Sequence, residues 1–140
     1  MARFQFLEHT SDVYVEAEGA NLEEAFIQAA SALFETMTDL KSIEPIEKRR
    51  ITIESEDLKA LLFDWIDQFL FLFDVEGLVF SKFDVIIKKN GNFSLRGDCW
   101  GEKFDLQKHP PRTEIKAPTY SLMEINQNPS NVIIRFVVDI

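Results

Sequence analysis

Asp139 and Ile140, the last pair in the sequence, set two sources of carboxylate oxygen side by side, and Asp12 offers a third from far upstream. One is the Asp139 side chain and one is the terminal carboxylate on Ile140. Three such charges brought together repel one another unless protons or a cation neutralise them. Carboxylate and carbonyl oxygens suit a hard divalent ion, Ca²⁺ by preference and Mg²⁺ or Mn²⁺ as alternatives. One cysteine and two dispersed histidines give no zinc-like spacing. Read from the residues alone, however, the pattern is more often a solvated acid that ends a strand.

Other reactive side chains are sparse. His9, within Glu8, His9, Thr10, Ser11 and Asp12, has the type of a general base oriented by a carboxylate. With no nucleophile nearby, the simpler reading is that His9 and Thr10 bond their own loop and fix its shape. Cys99 and His109 suggest a thiol nucleophile, but Cys99 follows a strand-like run and precedes Trp100, where a small buried residue is ordinary. Glu102, Asp105 and His109 fall on a polar turn that reads either as a partner surface or as a solvated loop. Lys116 and Tyr120 either face a ligand or cap a sheet. Gly-rich phosphate loops and nucleophile elbows are absent.

These residues must be held by elements that the pattern predicts. Residues 3–7 and 13–18 alternate apolar and polar side chains as half-buried strands do, and a short polar loop separates them. Asn21 followed by Glu24 starts a helix whose apolar positions run from Leu22 to Met37, a surface helix with one apolar face. A second helix begins after Ser55, with Glu56 and Asp57 in its first turn and a broader apolar face from Leu58 to Phe73, and is expected to be the more buried of the two. Strands are expected at 49–54, 78–88, 93–100, 114–117, 120–126 and 132–139, with Asn90 and Gly91 as a hairpin turn. The predicted class is α+β: one domain over 1–140, its two main helices packed on a predominantly antiparallel or mixed sheet. Antiparallel pairing of 13–18 with 132–139 would carry Asp12 and Asp139 to the same rim.

Composition narrows the partners. The 140 residues carry a formal charge of −9, which disfavours direct binding to nucleic acid, since neutralising phosphates needs a surplus of Lys and Arg. A cation or a basic protein surface is favoured instead. The 13 Phe fall at helical and strand spacing and read as core, not as stacking platforms for bases. The apolar run 69–73 is too short to span a bilayer, and the N-terminal residues lack the apolar core of a signal peptide, so a cytoplasmic protein is expected.

Taken together, His9 to Val13, Leu22 to Phe26 with Ala32 to Asp39, Leu61 to Trp65, Gly101 and Glu102 with Asp105 and His109, Lys116 and Ala117 with Thr119 and Tyr120, and the ending Asp139, Ile140 resemble the archease family over nearly the whole chain. The resemblance implies an accessory protein, not an enzyme, that assists RtcB-type RNA ligases in tRNA splicing and RNA repair. It would promote formation of the ligase–guanylate intermediate from GTP, permit repeated turnover and broaden the nucleotide used. It further implies a metal site at Asp12, Asp139 and Ile140. The chain departs from the family pattern at Ser11, Pro118 and Ser121, so no role is carried to Ser121, and Tyr120 stays a candidate contact. The rival readings are a metal-dependent hydrolase with His9 or Glu8 as base, and a general chaperone-like modulator of nucleic-acid-processing proteins.

Overall fold

The computed structural model describes residues 2–8 and 12–140. The chain runs β1 (Arg3–Leu7), β2 (Val13–Gly19), α1 (Leu22–Met37), a 3-10 turn (Leu40–Ser42), β3 (Glu47–Ser55), α2 (Leu58–Glu76), β4 (Leu78–Asn90), β5 (Asn92–Lys103), β6 (Ala117–Gln127) and β7 (Val132–Asp139). The strands form two antiparallel sheets instead of the single sheet expected: a four-stranded one in the order β1-β2-β7-β6 and a three-stranded one in the order β3-β5-β4. Alternation along a strand reveals which of its faces is buried but says nothing about which strands pair, so the division lies beyond a one-dimensional pattern.

Helix α1 lies between the sheets, packing on β1, β2 and β7 of one and on β4 of the other, while α2 covers β6 together with β3, β4 and β5. This reverses the expected order of burial. Ala25, Ala29, Ala30 and Ala32 are wholly buried and let strands approach α1 from several sides, whereas α2 turns Asp67, Gln68, Asp74 and Glu76 to solvent. The Asn21 side chain caps α1 by accepting from the Glu24 N–H at 2.9 Å, and Glu24 answers with a bond from the Ala20 N–H at 2.9 Å. Asp57 is the cap of α2 and not a first-turn residue: it accepts from the Ala60 N–H at 2.8 Å, and Glu56 stays outside the helix.

An aromatic cluster fills the space where helices and sheets meet. Phe34 meets Phe69 and Phe80 edge to face, and Trp65 meets Phe69 in the same way with ring centroids 4.5 Å apart. The Trp65 indole N–H, completely buried, donates to the Phe26 carbonyl at 3.0 Å and so ties α2 to α1. Two glycines make room for this packing. Gly97 lies under the Trp65 ring, and Gly101 lets the β5 backbone pass against Val79 and Phe80 of β4, where the register shifts between Phe80 and Lys82.

The exposed face of the four-stranded sheet carries a polar row that crosses every strand: Gln5 opposite Glu16, Glu16 opposite Arg135, Arg135 opposite Glu124. Gln5 donates to Glu16, and Arg135 donates to Glu16 at 3.0 Å and to Glu124 at 3.3 Å. Hydrogen bonding from Gln5 first, then Arg135, holds the Glu16 carboxyl below its ordinary range despite its burial. Among the described residues no helix is long and apolar enough to cross a membrane.

Candidate functional site

The rim forms where β2 begins and β7 ends. Val13, the first residue of β2, pairs with Val138, so Asp12 sits in a bend just ahead of the strand, at the end of the sheet where Asp139 closes β7. The two acids therefore belong to the same end of the sheet. On the other side of β7, Ala117 pairs with Asp139 and the Lys116 N–H donates to the Asp139 carbonyl at 2.8 Å. That bond occupies the Asp139 main chain in the sheet and leaves its exposed side chain for other partners. It also places Lys116, exposed, beside Ile140. Of the remaining candidates, His9 and Thr10 lie outside the described residues.

The donor set is small and hard. Among the described residues no group of three or more His, Cys, Asp or Glu side chains gathers as a metal cluster. A cation at the rim would therefore be held by two carboxylates and the main-chain oxygens of Ile140. All of these are oxygen donors of the kind that Ca²⁺, Mg²⁺ or Mn²⁺ takes, with water completing the shell, so the residues fit the ion on chemistry.

Asp12, half-buried, also lines a groove of about 470 Å³ with Phe6, Tyr14, Glu35 and Arg112 among its walls. Arg112 went unnoticed in the sequence, as did its purpose. The last turn of α1 has no basic residue, and its cap, Thr38, is extended. The exposed carbonyls are met from far along the chain: Arg112 Nη1 donates to the Glu35 carbonyl and to Glu35 Oε1 at 2.9 Å each, the Arg112 N–H to Met37 and the Thr113 N–H to Thr36 at 3.1 Å. A guanidinium at the negative end of the helix also opposes its dipole. A helix that ends without Gly or a base is the one sequence signal that such a partner must exist.

Glu102, Asp105 and His109 form a separate internal brace. His109 is fully buried and stacks on Phe104. Its Nδ1 accepts from the Asp105 N–H at 2.8 Å, so its proton sits on Nε2, which donates to Glu102 Oε2 at 2.9 Å. Asp105 accepts from the Gln107 N–H at 2.9 Å and from the His109 N–H at 2.7 Å, closing the turn. Burial pushes the Glu102 carboxyl up, but bonds from Lys108, the Glu44 N–H and His109 outweigh it and hold the group below its ordinary range. With both ring nitrogens engaged inside this turn, His109 is committed to holding the chain between β5 and the 110–113 segment.

Tyr120 lies further along β6. It stacks on Phe63 with ring centroids 4.5 Å apart and stays half-exposed. Pro118, one of the departures noted above, is accommodated because β6 is the outer strand of its sheet, where a missing N–H costs little. Cys99 is fully buried, and burial, aided by the Asp98 carboxylate, pushes its thiol up to about 12.

Two helices packed on two antiparallel sheets make this a small α+β protein, with acidic residues at the end of one sheet. Comparison with known proteins makes the family definite. Residues 4–140 match the model of the Archease protein family. The chain is similar to protein archease of Sulfurisphaera tokodaii, 48% identical over 140 residues and covering 100% of both chains. It is also similar to that of Pyrococcus furiosus, 43% identical over 130 residues and 92% of both. Among solved structures it resembles Methanobacterium thermoautotrophicum protein 1598, with 41% identity, a TM-score of 0.86 and 98% of each chain covered. The fold alone is shared with a Thermotoga maritima archease described as a possible chaperone, at 24% identity, a TM-score of 0.64 and 96% and 94% coverage. The chain belongs to the archease family.

Proposed function

We propose that the chain is a cytoplasmic, metal-dependent activator of an RtcB-type RNA ligase, acting as an accessory protein and not as an enzyme. The observation that supports this reading is the β2–β7 register, in which Val13 pairs with Val138, so that Asp12 and Asp139 each lie one residue beyond that pair at the same end of the sheet. Asp12, Asp139 and the main-chain oxygens of Ile140 would hold a divalent ion, Ca²⁺ by preference, and when bound it would neutralise the rim and fix its donors in one geometry. Lys116 stands beside that rim and offers a cationic contact to a phosphate or carboxylate of the partner. The formal charge of −9 steers the chain towards an RNA-binding, hence basic, enzyme surface, an attraction that added salt weakens.

In this role the chain assists formation of the ligase–guanylate from GTP and so permits multiple turnover. The description of the Thermotoga maritima relative as a possible chaperone accords with a protein partner. The test is RNA joining by a cognate ligase in limiting amount with GTP and a divalent metal, with and without this chain. Repeated turnover only in its presence is the expected result. Unchanged turnover, or capture of several unrelated proteins with equal affinity, would replace the activator reading with the chaperone one. Hydrolysis of nucleotides or phosphoesters by the chain alone would replace it with a hydrolase.

A further inference from the structure

A second groove, of about 610 Å³, is lined by the start of α2, by β5 and by β6, and shares no residue with the acidic rim. Its apolar walls are Leu58, Phe93, Tyr120 and Ile125, with Lys59 as the cation on its lining. It runs into a smaller depression, of about 300 Å³, lined by Glu54, Glu56, Asp57 and Asp64, and Asp57 and Ala60 belong to both. Four carboxylates thus flank an apolar surface that includes Tyr120, whose ring stacks on Phe63.

The backbone of β6 is shaped to present that surface. Pairing with β7 is regular from Ala117 to Thr119 and from Glu124 to Gln127, but between them the four residues 120–123 stand opposite Phe136 alone. Within this bulge Leu122 has φ 58, a left-handed conformation that a leucine rarely adopts. Bulges re-aim side chains, and unfavourable backbone of this kind gathers where a surface is used. Here the outcome is that Tyr120 and Leu122 project outward, 54% and 49% exposed.

We infer that this groove seats an extended, arginine-bearing segment of a protein partner, with a guanidinium over the face of Tyr120 that Phe63 does not cover. An aromatic ring attracts a cation over its face, and the planar guanidinium stacks there better than an ammonium does. The Asp57 and Asp64 carboxylates lie close enough to act on Tyr120: partial burial first, then these two charges, hold its hydroxyl above the ordinary range. The same field favours a cation and repels phosphate, which argues against a nucleic acid strand on this surface. Phe93 already shows the chemistry within the chain, with Lys89 Nζ 5.3 Å from its ring centroid. The inference rests on the accessory-protein reading only for the partner's identity.

The experiment is fluorescence polarisation of a labelled short peptide alternating Arg and Val, titrated with the whole chain. Peptides with Lys or Glu in place of Arg, and a short oligouridylate, are run in parallel. The Arg peptide is expected to bind, the Lys peptide more weakly, and the Glu peptide and the RNA not at all. Tyr120→Ala and Tyr120→Leu should weaken the Arg peptide about fivefold, while Tyr120→Phe, which keeps the ring, should leave it unchanged. Glu54→Gln with Glu56→Gln should weaken it, and Glu44→Gln with Asp74→Asn, far from the groove, should not. No binding by the wild type, equal loss in the distant pair, full affinity in Tyr120→Ala, or tighter binding of the RNA would each overturn the inference. In ligase assays Tyr120→Ala should raise the concentration of this chain needed for half-maximal activation. If the chain does not activate a ligase at all, the activator reading fails while the peptide result stands.

Discussion

Replacing Gly97 with Ala is the sharpest test of how the core holds its sheets in place. A Cβ added at Gly97 would lie 2.7 Å from both Cη2 and Cζ3 of Trp65. The ring has little freedom to retreat, because its N–H is bonded to the Phe26 carbonyl at 3.0 Å and its edge rests against Phe69. Overpacking of this kind costs about 1–3 kcal/mol, and a stretched indole hydrogen bond adds about 1 kcal/mol. Against this, Ala restricts the unfolded chain and returns up to about 1 kcal/mol. The net expectation is a loss of about 2 kcal/mol, or a fall in Tm of about 8 °C for a chain of this size. Circular dichroism melts and urea unfolding measure it, with the midpoint expected to move at unchanged slope. Made in a Trp65→Phe background, the same change should cost less than about 1 kcal/mol, since the offending atoms are gone. An unchanged or raised Tm in Gly97→Ala, or its full cost in the Trp65→Phe background, would refute the steric reasoning.

Three further outcomes follow from the same structure. Cys99, its thiol pushed up to about 12, should ignore a thiol reagent at pH 8 in the folded protein and react only after unfolding; prompt reaction in native buffer would contradict its burial. Glu102, held below its unfolded value of 4.5, contributes stability that is present above that pH and lost as pH falls through the lower folded value. Melts between pH 7 and 3 should therefore show a shallower acid decline in Glu102→Gln, and identical slopes would remove Glu102 from the acid response. Asp57→Ala, which removes the cap of α2, should cost about 1 kcal/mol by urea unfolding, whereas Glu56→Ala, outside the helix, should cost almost nothing.

Much of this was legible in the residues. The strand at 132–139 and the cap at Asn21 stand where apolar pattern and capping chemistry put them, because both are set by neighbours in sequence. Local rules failed where distant partners decide. Glu56 and Asp57 are interchangeable as acids near a helix start, and only the Asp57 backbone shows which is the cap. Residues 114–116 lie outside any strand, and the strand begins at Ala117, so the two short strands expected there form a single one through Pro118. Gly101 carries β5 past its predicted end to Lys103, because a bare Cα permits the close passage against Val79. His109 looked like part of an exposed turn, yet its burial depends on Glu102, Phe104 and Asp105 closing around it. At the rim, the antiparallel pairing of β2 with β7, which brings Asp12 and Asp139 to the same end of the sheet, was visible as soon as the two strands were assumed adjacent. The cation at the end of α1, Arg112, lies 77 residues from Glu35, and no local pattern connects them.

The central claim is that the Asp12–Asp139 rim is what makes this chain an activator. Ligase guanylylation from GTP, followed in the presence of catalytic amounts of the wild type, Asp12→Asn or Asp139→Asn across Ca²⁺, Mg²⁺ and Mn²⁺, tests it most directly. Either substitution keeps the shape of the side chain and removes its charge. The account predicts that both variants remain folded, bind the divalent ion at least tenfold more weakly, as loss of a charged ligand should cause, and fail to stimulate guanylylation at metal concentrations that suffice for the wild type. Full stimulation by both variants would contradict it.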